Sequence, residues 1–293
     1  VTKRKWLSND GTEVEGLLLH GAADRANATP AAAPKPLIVF THCGPAMASL
    51  STFIGAGSVC ARFPVAIWAQ QGYNVLLPNY RGSSGYGGKF RAADSFGWGA
   101  GDYDDVMTGF QSMAAAGLAD LDNVAHVGWS YGGYFSNLAL TRAHSTHGLG
   151  LKAVITGGGL SDLVSQIGVT DISKIYSSSN GGDYYWDSVQ VWQNSLTRSP
   201  MTHVANATAP VLLLHGQRDP SKLILPLLPY FLSSSLPAHD SLCCHCHSFS
   251  FTPSSSHSDT HQPCLRMSRC NWTTQECQSL KRFNFTMLCS NEL

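Results

Sequence analysis

Short, mostly apolar runs recur along the first 220 residues, separated by polar and turn-forming segments. Runs of four to eight such residues between turn signals are typical of strands buried on both faces of a parallel sheet. Residues 13–20 alternate and then become apolar, which predicts a further strand at the edge of that sheet. The buried strands are predicted at 36–41, 73–78, 124–127, 151–156 and 210–215.

Helical spacing lies between these runs. Residues 61–71 keep it despite Pro64, and residues 102–115 begin with three aspartates, whose charge suits a helix N-terminus. We interpret all three aspartates as structural. Residues 158–209 mix aromatic side chains with polar turns, which suits helices packed over one edge of the sheet. Strands alternating with helices predict an α/β fold with a mostly parallel central sheet flanked by helices.

One turn in this pattern contains a candidate catalytic residue. Residues 128–134, Gly-Trp-Ser-Tyr-Gly-Gly-Tyr, follow the apolar run 124–127 and precede a helical stretch. A strand, a Gly-x-Ser-x-Gly turn and a helix form the nucleophile elbow of the α/β-hydrolase fold. The glycines would relieve crowding while Ser130 takes a strained conformation, and the amide of Tyr131 could bind a developing oxyanion. A glycine-rich turn without a catalytic role is the alternative, which the flanking strand and helix disfavour.

A candidate acid follows the last predicted strand. In the hydrolase arrangement the catalytic residues occur in the order serine, acid, histidine, with the acid after a late strand. Asp219 occupies that place, five residues after Leu214. A solvated turn aspartate is the alternative, and the elbow upstream favours the catalytic interpretation. His215 precedes the acid at a strand end, so we interpret it as structural.

The glycine-rich segment 79–88 predicts a loop at the C-terminal end of a strand, where open α/β sheets carry function. A phosphate-binding loop is the alternative, but no Gly-Lys-Ser/Thr follows and the dinucleotide spacing fails. We therefore predict no cofactor.

The charge balance and the apolar runs limit the classes of partner that the chain could bind. Nineteen basic and nineteen acidic residues cancel, so nothing indicates nucleic-acid binding. After residue 220 the longest apolar run, 223–232, contains two prolines and is about half the length that crosses a bilayer. The first residues lead into no apolar signal core. We expect a soluble chain without a membrane partner, with a cytoplasmic location slightly favoured.

Five short motifs are distinctive. They are 42–45 (His-Cys-Gly-Pro), 78–87 (Pro-Asn-Tyr-Arg-Gly-Ser-Ser-Gly-Tyr-Gly), 128–134, 198–200 (Arg-Ser-Pro) and 215–219 (His-Gly-Gln-Arg-Asp). Together they resemble the catalytic domain of the prolyl oligopeptidase family of serine peptidases, in its acylaminoacyl-peptidase and dipeptidyl-peptidase-like branch. The resemblance spans about residues 8–220. It is specific, because the Asn-Tyr-Arg-Gly-Ser segment and the Ser-Tyr-Gly-Gly-Tyr elbow are each rare and occur at the family's spacing.

The resemblance implies roles for individual residues. Ser130 would be the nucleophile, Asp219 the triad acid, and the amides of Tyr131 and Gly44 the oxyanion hole. Cys43 stands where the family usually has the first of two glycines. This departure would change the shape of the loop that presents Gly44. The family also places its catalytic histidine some tens of residues after the acid, and no matching segment follows here.

Residues 221–293 differ in composition from the rest of the chain. They are rich in Ser, Cys, His and Pro and lack amphipathic periodicity. We expect an α/β-hydrolase domain over residues 1–220, truncated before its last strand, and a disordered, non-homologous low-complexity tail from an unspliced or frame-shifted segment. A zinc site at 243–247 with Cys264 and Cys270 is the alternative. Its Cys-x-x-Cys spacing has no second pair, so no metal is predicted.

The sequence therefore predicts a serine-type peptidase, an exopeptidase or an oligopeptidase, that hydrolyses short peptides through an acyl-enzyme on Ser130. A serine esterase of the same fold and a catalytically dead truncated domain are the alternatives. We expect poor activity or none from the chain as written, because no histidine after the acid lies in a context that would hold it against Ser130. Those histidines are His239, His245, His247, His257 and His261.

Overall fold

The computed structural model describes residues 1–22, 33–51, 63–95, 97–177, 183–216 and 219. Within these ranges, seven strands form one sheet with helices on both faces. The strands are β1 (Thr2–Leu7), β2 (Glu13–Leu19), β3 (Lys35–Thr41), β4 (Asn74–Asn79), β5 (Ala119–Trp129), β6 (Ala153–Gly157) and β7 (Val211–Leu214). The helices are α1 (Val65–Gln70), α2 (Gly88–Ala92), α3 (Gly101–Ala115), α4 (Tyr131–His147), α5 (Leu163–Val169), α6 (Ser173–Ser177), α7 (Val189–Thr197) and a 3₁₀ helix (Pro200–Asn206).

The strand order across the sheet is β1-β2-β4-β3-β5-β6-β7. The first two pairings, β1 with β2 and β2 with β4, are antiparallel, and every later pairing is parallel. The predicted α/β fold with a mostly parallel central sheet is therefore confirmed. The five predicted buried strands all form, and their bounds differ from the prediction by at most five residues at either end.

The N-terminal hairpin departs from the prediction. We expected residues 13–20 to form an edge strand, but β2 pairs on both sides and β1 occupies the edge. Sequence patterning misses β1 because Trp6 is its one buried residue and three of the other five residues are charged. The second half of β2 is buried on both faces, as expected of an interior strand. The short helix α2, which begins at the last residue of the predicted glycine-rich loop, was also missed.

The core divides into two layers because successive side chains of a strand point to opposite faces. In β3, Leu37 and Val39 face the layer that contains α3 and α4, whereas Ile38 and Phe40 face the layer that contains α1. Burial on both faces explains why β3, β4 and β6 read as continuous apolar runs rather than as alternating patterns.

The predicted helices over residues 158–209 are confirmed as α5, α6, α7 and the 3₁₀ helix. Throughout the described ranges, no helix combines the length and apolar character needed to cross a bilayer. The expected tail over residues 221–293, together with the expected loss of a last strand, lies outside the described residues.

Candidate active site

The predicted nucleophile elbow is present at the junction of β5 and α4. Ser130 lies between the two elements with φ 59° and ψ −116°, and in the described part of the chain it is the one residue other than glycine with a positive φ. Its amide donates to the carbonyl of Gly157 at 2.7 Å, and its own carbonyl accepts from the amide of Tyr134 at 2.9 Å. These bonds hold a backbone conformation that a serine rarely adopts.

The two glycines of the elbow are required by close backbone approach. A Cβ at Gly128 would lie 2.1 Å from the carbonyl oxygen of Gly132, and a Cβ at Gly132 would lie 2.1 Å from that of Thr41. Neither distance is compatible with a side chain, and the obstructing atoms belong to the backbone. The predicted role of these glycines, relief of crowding around Ser130, is confirmed.

The loop that contains Gly44 leaves the sheet beside the elbow. Thr41, at the end of β3, is in register with Gly128 of the parallel neighbour β5. Gly44 and Ser130 therefore follow their strands from the same edge of the sheet. Gly44 is exposed and has φ 149°, a conformation that favours glycine. Its neighbour Cys43 is buried.

A buried histidine, His42, contacts the backbone of this loop. The His42 ring stacks on Tyr80 with centroids 4.5 Å apart, and its Nδ1 lies 2.7 Å from the carbonyl oxygen of Cys43. Because Nδ1 donates to that carbonyl, Nε2 accepts from the hydroxyl of Ser83 at 3.0 Å. Burial lowers the pKa of His42 to about 4. The ring is thus neutral at physiological pH, with both nitrogens engaged.

The candidate acid lies beyond β7, at the same edge of the sheet. Leu214 is in register with Gly157, which is in register with Trp129, so β7 ends in line with the elbow. Asp219 Oδ2 lies 3.9 Å from Nε2 of the buried His215, and the Asp219 amide donates to the carbonyl of Gly216 at 3.3 Å. Each of the four predicted site residues, Ser130, Tyr131, Gly44 and Asp219, therefore follows a strand that ends at the same edge of the sheet.

A model described as the prolyl oligopeptidase family matches residues 61–225, which is more than half of the chain. The chain belongs to the prolyl oligopeptidase family. Members of this family are serine peptidases. The matched region contains the elbow and Asp219, whereas Gly44 lies outside it.

Curated relatives in the prolyl oligopeptidase family are similar over most of the chain. The uncharacterized peptidase YuxL of Bacillus subtilis is 31% identical over 217 residues, covering 73% of this chain and 30% of the relative. Dipeptidyl aminopeptidase BIII of Pseudoxanthomonas mexicana is 30% identical over 211 residues, covering 71% and 29%. The acylamino-acid-releasing enzyme of Mus musculus is 31% identical over 187 residues, covering 63% and 24%. The chain spans less than a third of the length of these relatives.

Solved structures agree with this membership. The acylaminoacyl peptidase of Pyrococcus horikoshii matches with a TM-score of 0.65 and 25% identity, over 79% of this chain and 34% of that chain. A puromycin hydrolase matches with a TM-score of 0.66 and 24% identity, over 80% and 33%, and this likeness supports the fold. The predicted resemblance to the family and the predicted hydrolase fold are confirmed.

Sequence reasoning missed one polar contact of this family domain. Asp102, assigned only to the helix N-terminus, is buried and accepts a 2.5 Å hydrogen bond from the hydroxyl of Tyr131. The two residues lie 29 positions apart, so no local pattern could connect them. Three aspartates within four positions at one helix start were the available signal, although the preference of a helix N-terminus for negative charge also explains them.

Other predicted groups fall outside the described part of the chain. The five histidines that follow Asp219 and the cysteines of the alternative zinc site are all there. Among the described residues, no group of three or more His, Cys, Asp or Glu side chains is arranged to hold a metal ion.

Proposed function

We propose that this chain carries out peptide hydrolysis by acyl transfer through Ser130, with Asp219 orienting a catalytic histidine. The observation that carries the proposal is the backbone of Ser130, whose positive φ holds a serine at a strand–helix turn within a serine-peptidase family domain. Such strained conformations occur mainly at functional sites, because the surrounding structure must stabilise them.

The chemistry follows from the elbow. The hydroxyl oxygen of Ser130 attacks the substrate carbonyl carbon while an imidazole takes the proton, and the carbonyl oxygen becomes an oxyanion. The amide of Tyr131, at the positive end of the 17-residue helix α4, and the amide of Gly44 are our candidates for donors to that oxygen. Collapse of the intermediate expels the amine, which receives the proton from the imidazole. Water then cleaves the acyl-enzyme by the same steps and regenerates the serine.

The described histidines near the site do not suit the role of base. His42 has both ring nitrogens engaged, and His126 lies between the hydroxyls of Thr41 and Ser136, at 2.9 Å from each. Burial lowers the pKa of His126 to about 3, so it also stays neutral. His215 precedes the acid along the chain. We infer that the base must come from residues after Asp219, and we expect weak hydrolysis at most from the chain as it stands.

The proposed substrate class is taken from the names of the relatives. Names such as acylamino-acid-releasing enzyme and dipeptidyl aminopeptidase describe removal of an acylated residue or of a dipeptide. We propose short peptides cleaved near their N-terminus as substrates. Paired aminoacyl amides, one N-acylated and one a free dipeptidyl amide, separate the two modes.

Labelling with a fluorophosphonate tests the proposal directly, because the probe reports an activated serine whatever the substrate. We expect weak labelling of the parent at Ser130, none of Ser130→Ala, and labelling equal to that of the parent in the control Ser145→Ala, which removes an exposed hydroxyl from the same helix. Equal labelling of Ser130→Ala and the parent would show that the elbow serine is not the nucleophile.

Two further outcomes separate the alternatives. Hydrolysis of p-nitrophenyl esters without any cleavage of aminoacyl amides would overturn the peptidase proposal in favour of an esterase. If the parent is unlabelled, residues 221–293 are replaced by the acid-to-histidine segment of a family member. Labelling that appears only after this exchange would support the missing base as the cause, and its continued absence would favour a dead domain.

A further inference from the structure

A buried carboxylate contacts the residue that follows the candidate nucleophile. Asp102 lies in the first turn of α3 with none of its surface exposed. Its Oδ2 accepts from the hydroxyl of Tyr131 at 2.5 Å, its Oδ1 accepts from the amide of Tyr103 at 2.8 Å, and Gly99 adds a backbone hydrogen bond. Burial raises the pKa of the Tyr131 hydroxyl well above 10.0, so this phenol stays protonated and donates.

The donors that hold Asp102 are neutral. The guanidinium of Arg81 donates instead to Asp105 and Asp10, at distances of 2.7–3.0 Å. An uncompensated buried carboxylate is costly for folding, and burial accordingly raises the pKa of Asp102 to about 7. A costly polar group beside a candidate nucleophile points to a role in the site rather than in stability.

The ring of Tyr131 is enclosed as tightly as its hydroxyl. It makes edge contacts with Trp98 and Phe135, at centroid distances of 4.8 and 5.1 Å, and lies 5.9 Å from Tyr80. A tyrosine side chain has two rotatable bonds, so fixing its ring and its hydroxyl constrains the Cα and the amide that starts α4.

The same aromatic cluster reaches the loop of the second candidate donor. Tyr80 stacks on His42, and its hydroxyl donates to the His42 carbonyl at 3.1 Å. A Cβ built at Gly44 would lie 3.6 Å from that hydroxyl. One packed assembly thus extends from Asp102 through Tyr131 and Tyr80 to the backbone around Gly44.

We propose that Asp102 is a positioning residue for the oxyanion hole, acting through the Tyr131 hydroxyl to hold the Tyr131 amide in the orientation that meets the oxyanion. This inference rests on the proposed function of Ser130. It assigns no contact between Asp102 and the substrate. It requires only that the hydrogen bond between Asp102 and Tyr131 controls the amide one residue after the nucleophile.

Two variants remove the contact, and a third controls for the loss of a buried hydroxyl. Asp102→Asn keeps the size but leaves one acceptor oxygen for three donors, and Tyr131→Phe removes the hydroxyl donor. Tyr134→Phe is the matched control, because its hydroxyl is also buried on α4 and donates to the carbonyl of Arg198 at 2.7 Å.

The first measurement does not depend on activity. The full chain has ten tyrosines, so ¹⁵N-tyrosine labelling gives few amide resonances, and loss of one signal in Tyr131→Phe assigns the Tyr131 amide. We expect Asp102→Asn to shift or broaden that resonance and to accelerate its hydrogen exchange, whereas Tyr134→Phe leaves it unchanged. A Tyr131 amide identical in the parent and in Asp102→Asn would overturn the proposal.

The second measurement is the rate of Ser130 labelling by a fluorophosphonate, taken at a temperature where every variant is folded. Loss of alignment at an oxyanion donor predicts about tenfold to a hundredfold slower labelling in Asp102→Asn and Tyr131→Phe, with the control at the parent rate. A purely structural role would lower the melting temperature and leave the rate of the folded protein unchanged, which also contradicts the proposal.

The two proposals can fail separately. If the parent and every variant stay unlabelled even after residues 221–293 are exchanged, the proposed function of Ser130 fails, and the Tyr131 amide resonance still decides whether Asp102 positions it. If the parent is labelled and Asp102→Asn matches it in both rate and resonance, the function stands and the positioning role falls.

Discussion

Asp102 and Asp105 lie one turn apart at the start of α3, and neither side chain is exposed, yet they have different partners. Asp105 accepts from the amide, Nε and Nη2 of Arg81 at 2.7–2.9 Å, which makes a charge-compensated bidentate pair. Asp102 accepts from a phenol and from backbone amides. Two identical side chains, three positions apart, thus occupy a compensated and an uncompensated environment.

The difference separates a structural carboxylate from a candidate functional one. Through Arg81, Asp105 links the loop after β4 to α3, and Asp10 extends the link to the turn between β1 and β2. This network connects β4, α3 and the N-terminal hairpin. Asp102 instead contacts Tyr131, the residue that follows Ser130, and its charge there is a cost to the fold. The contrast can be tested from both sides.

Removal of the Arg81 cation should have the largest effect on stability. Arg81→Leu leaves Asp105 buried without its partner, and we expect the free energy of unfolding to fall by about 3–5 kcal/mol. Chemical denaturation followed by tryptophan fluorescence measures the loss, and Trp6 is a suitable reporter because its indole donates to the carbonyl of Asp105 at 2.8 Å.

The double variant Arg81→Leu/Asp105→Leu provides the control, since it removes both charges together. It should be more stable than Arg81→Leu alone, because replacing a whole buried pair by apolar groups is often close to neutral. A single variant as stable as the parent would show that the pair is not a structural requirement.

The next largest effect should be on the pH dependence of stability, to which Asp102 contributes through its raised pKa. Its pKa in the folded chain, about 7, exceeds the ordinary 3.8, so the folded state holds the proton more tightly than the unfolded state. The associated stabilisation is complete below about pH 4 and is lost as the pH rises through 7, a change of a few kcal/mol at most. Asp102→Asn cannot titrate, so its stability relative to the parent should increase from pH 5 to pH 8.

Comparing the two proteins at each pH isolates this group. The buried histidines His42 and His126, whose pKa values are lowered, lose their stabilising contribution as the pH falls below about 6.5, but they titrate in both proteins. Denaturation curves at pH 5 and pH 8 give the required differences. A constant difference would mean that Asp102 is ionised at both values, contrary to the effect expected from its burial.

The smallest effect should come from Asp10, the exposed end of the ion-pair network. Its side chain is 52% exposed, and its hydrogen bonds with Arg81 hold its pKa well below the ordinary value. We expect Asp10→Asn to lose about 1 kcal/mol or less at pH 7, since water screens an exposed charge pair. The same denaturation assay applies, and a loss as large as that of Arg81→Leu would contradict the division between Asp10 and Asp105.

Local pattern alone was enough for the parallel core and for the elbow. Apolar runs identify strands buried on both faces, and the glycines flanking Ser130 follow from a turn whose crowding is a property of its own few residues. The position of Asp219 after the last described strand follows from chain order. Its role and those of Tyr131 and Gly44 remain proposals.

Tertiary structure decided which polar groups meet. Hydrogen bonds join Tyr131 to Asp102 across 29 positions, Arg81 to Asp105 across 24, and Arg81 to Asp10 across 71. The sequence determined that α3 begins with aspartates, because a helix N-terminus favours negative charge there whatever surrounds it. The sequence could not show which of the two buried carboxylates, Asp102 or Asp105, pairs with Arg81. That choice depends on how β4, α3 and the N-terminal hairpin pack together, which no short stretch of sequence encodes.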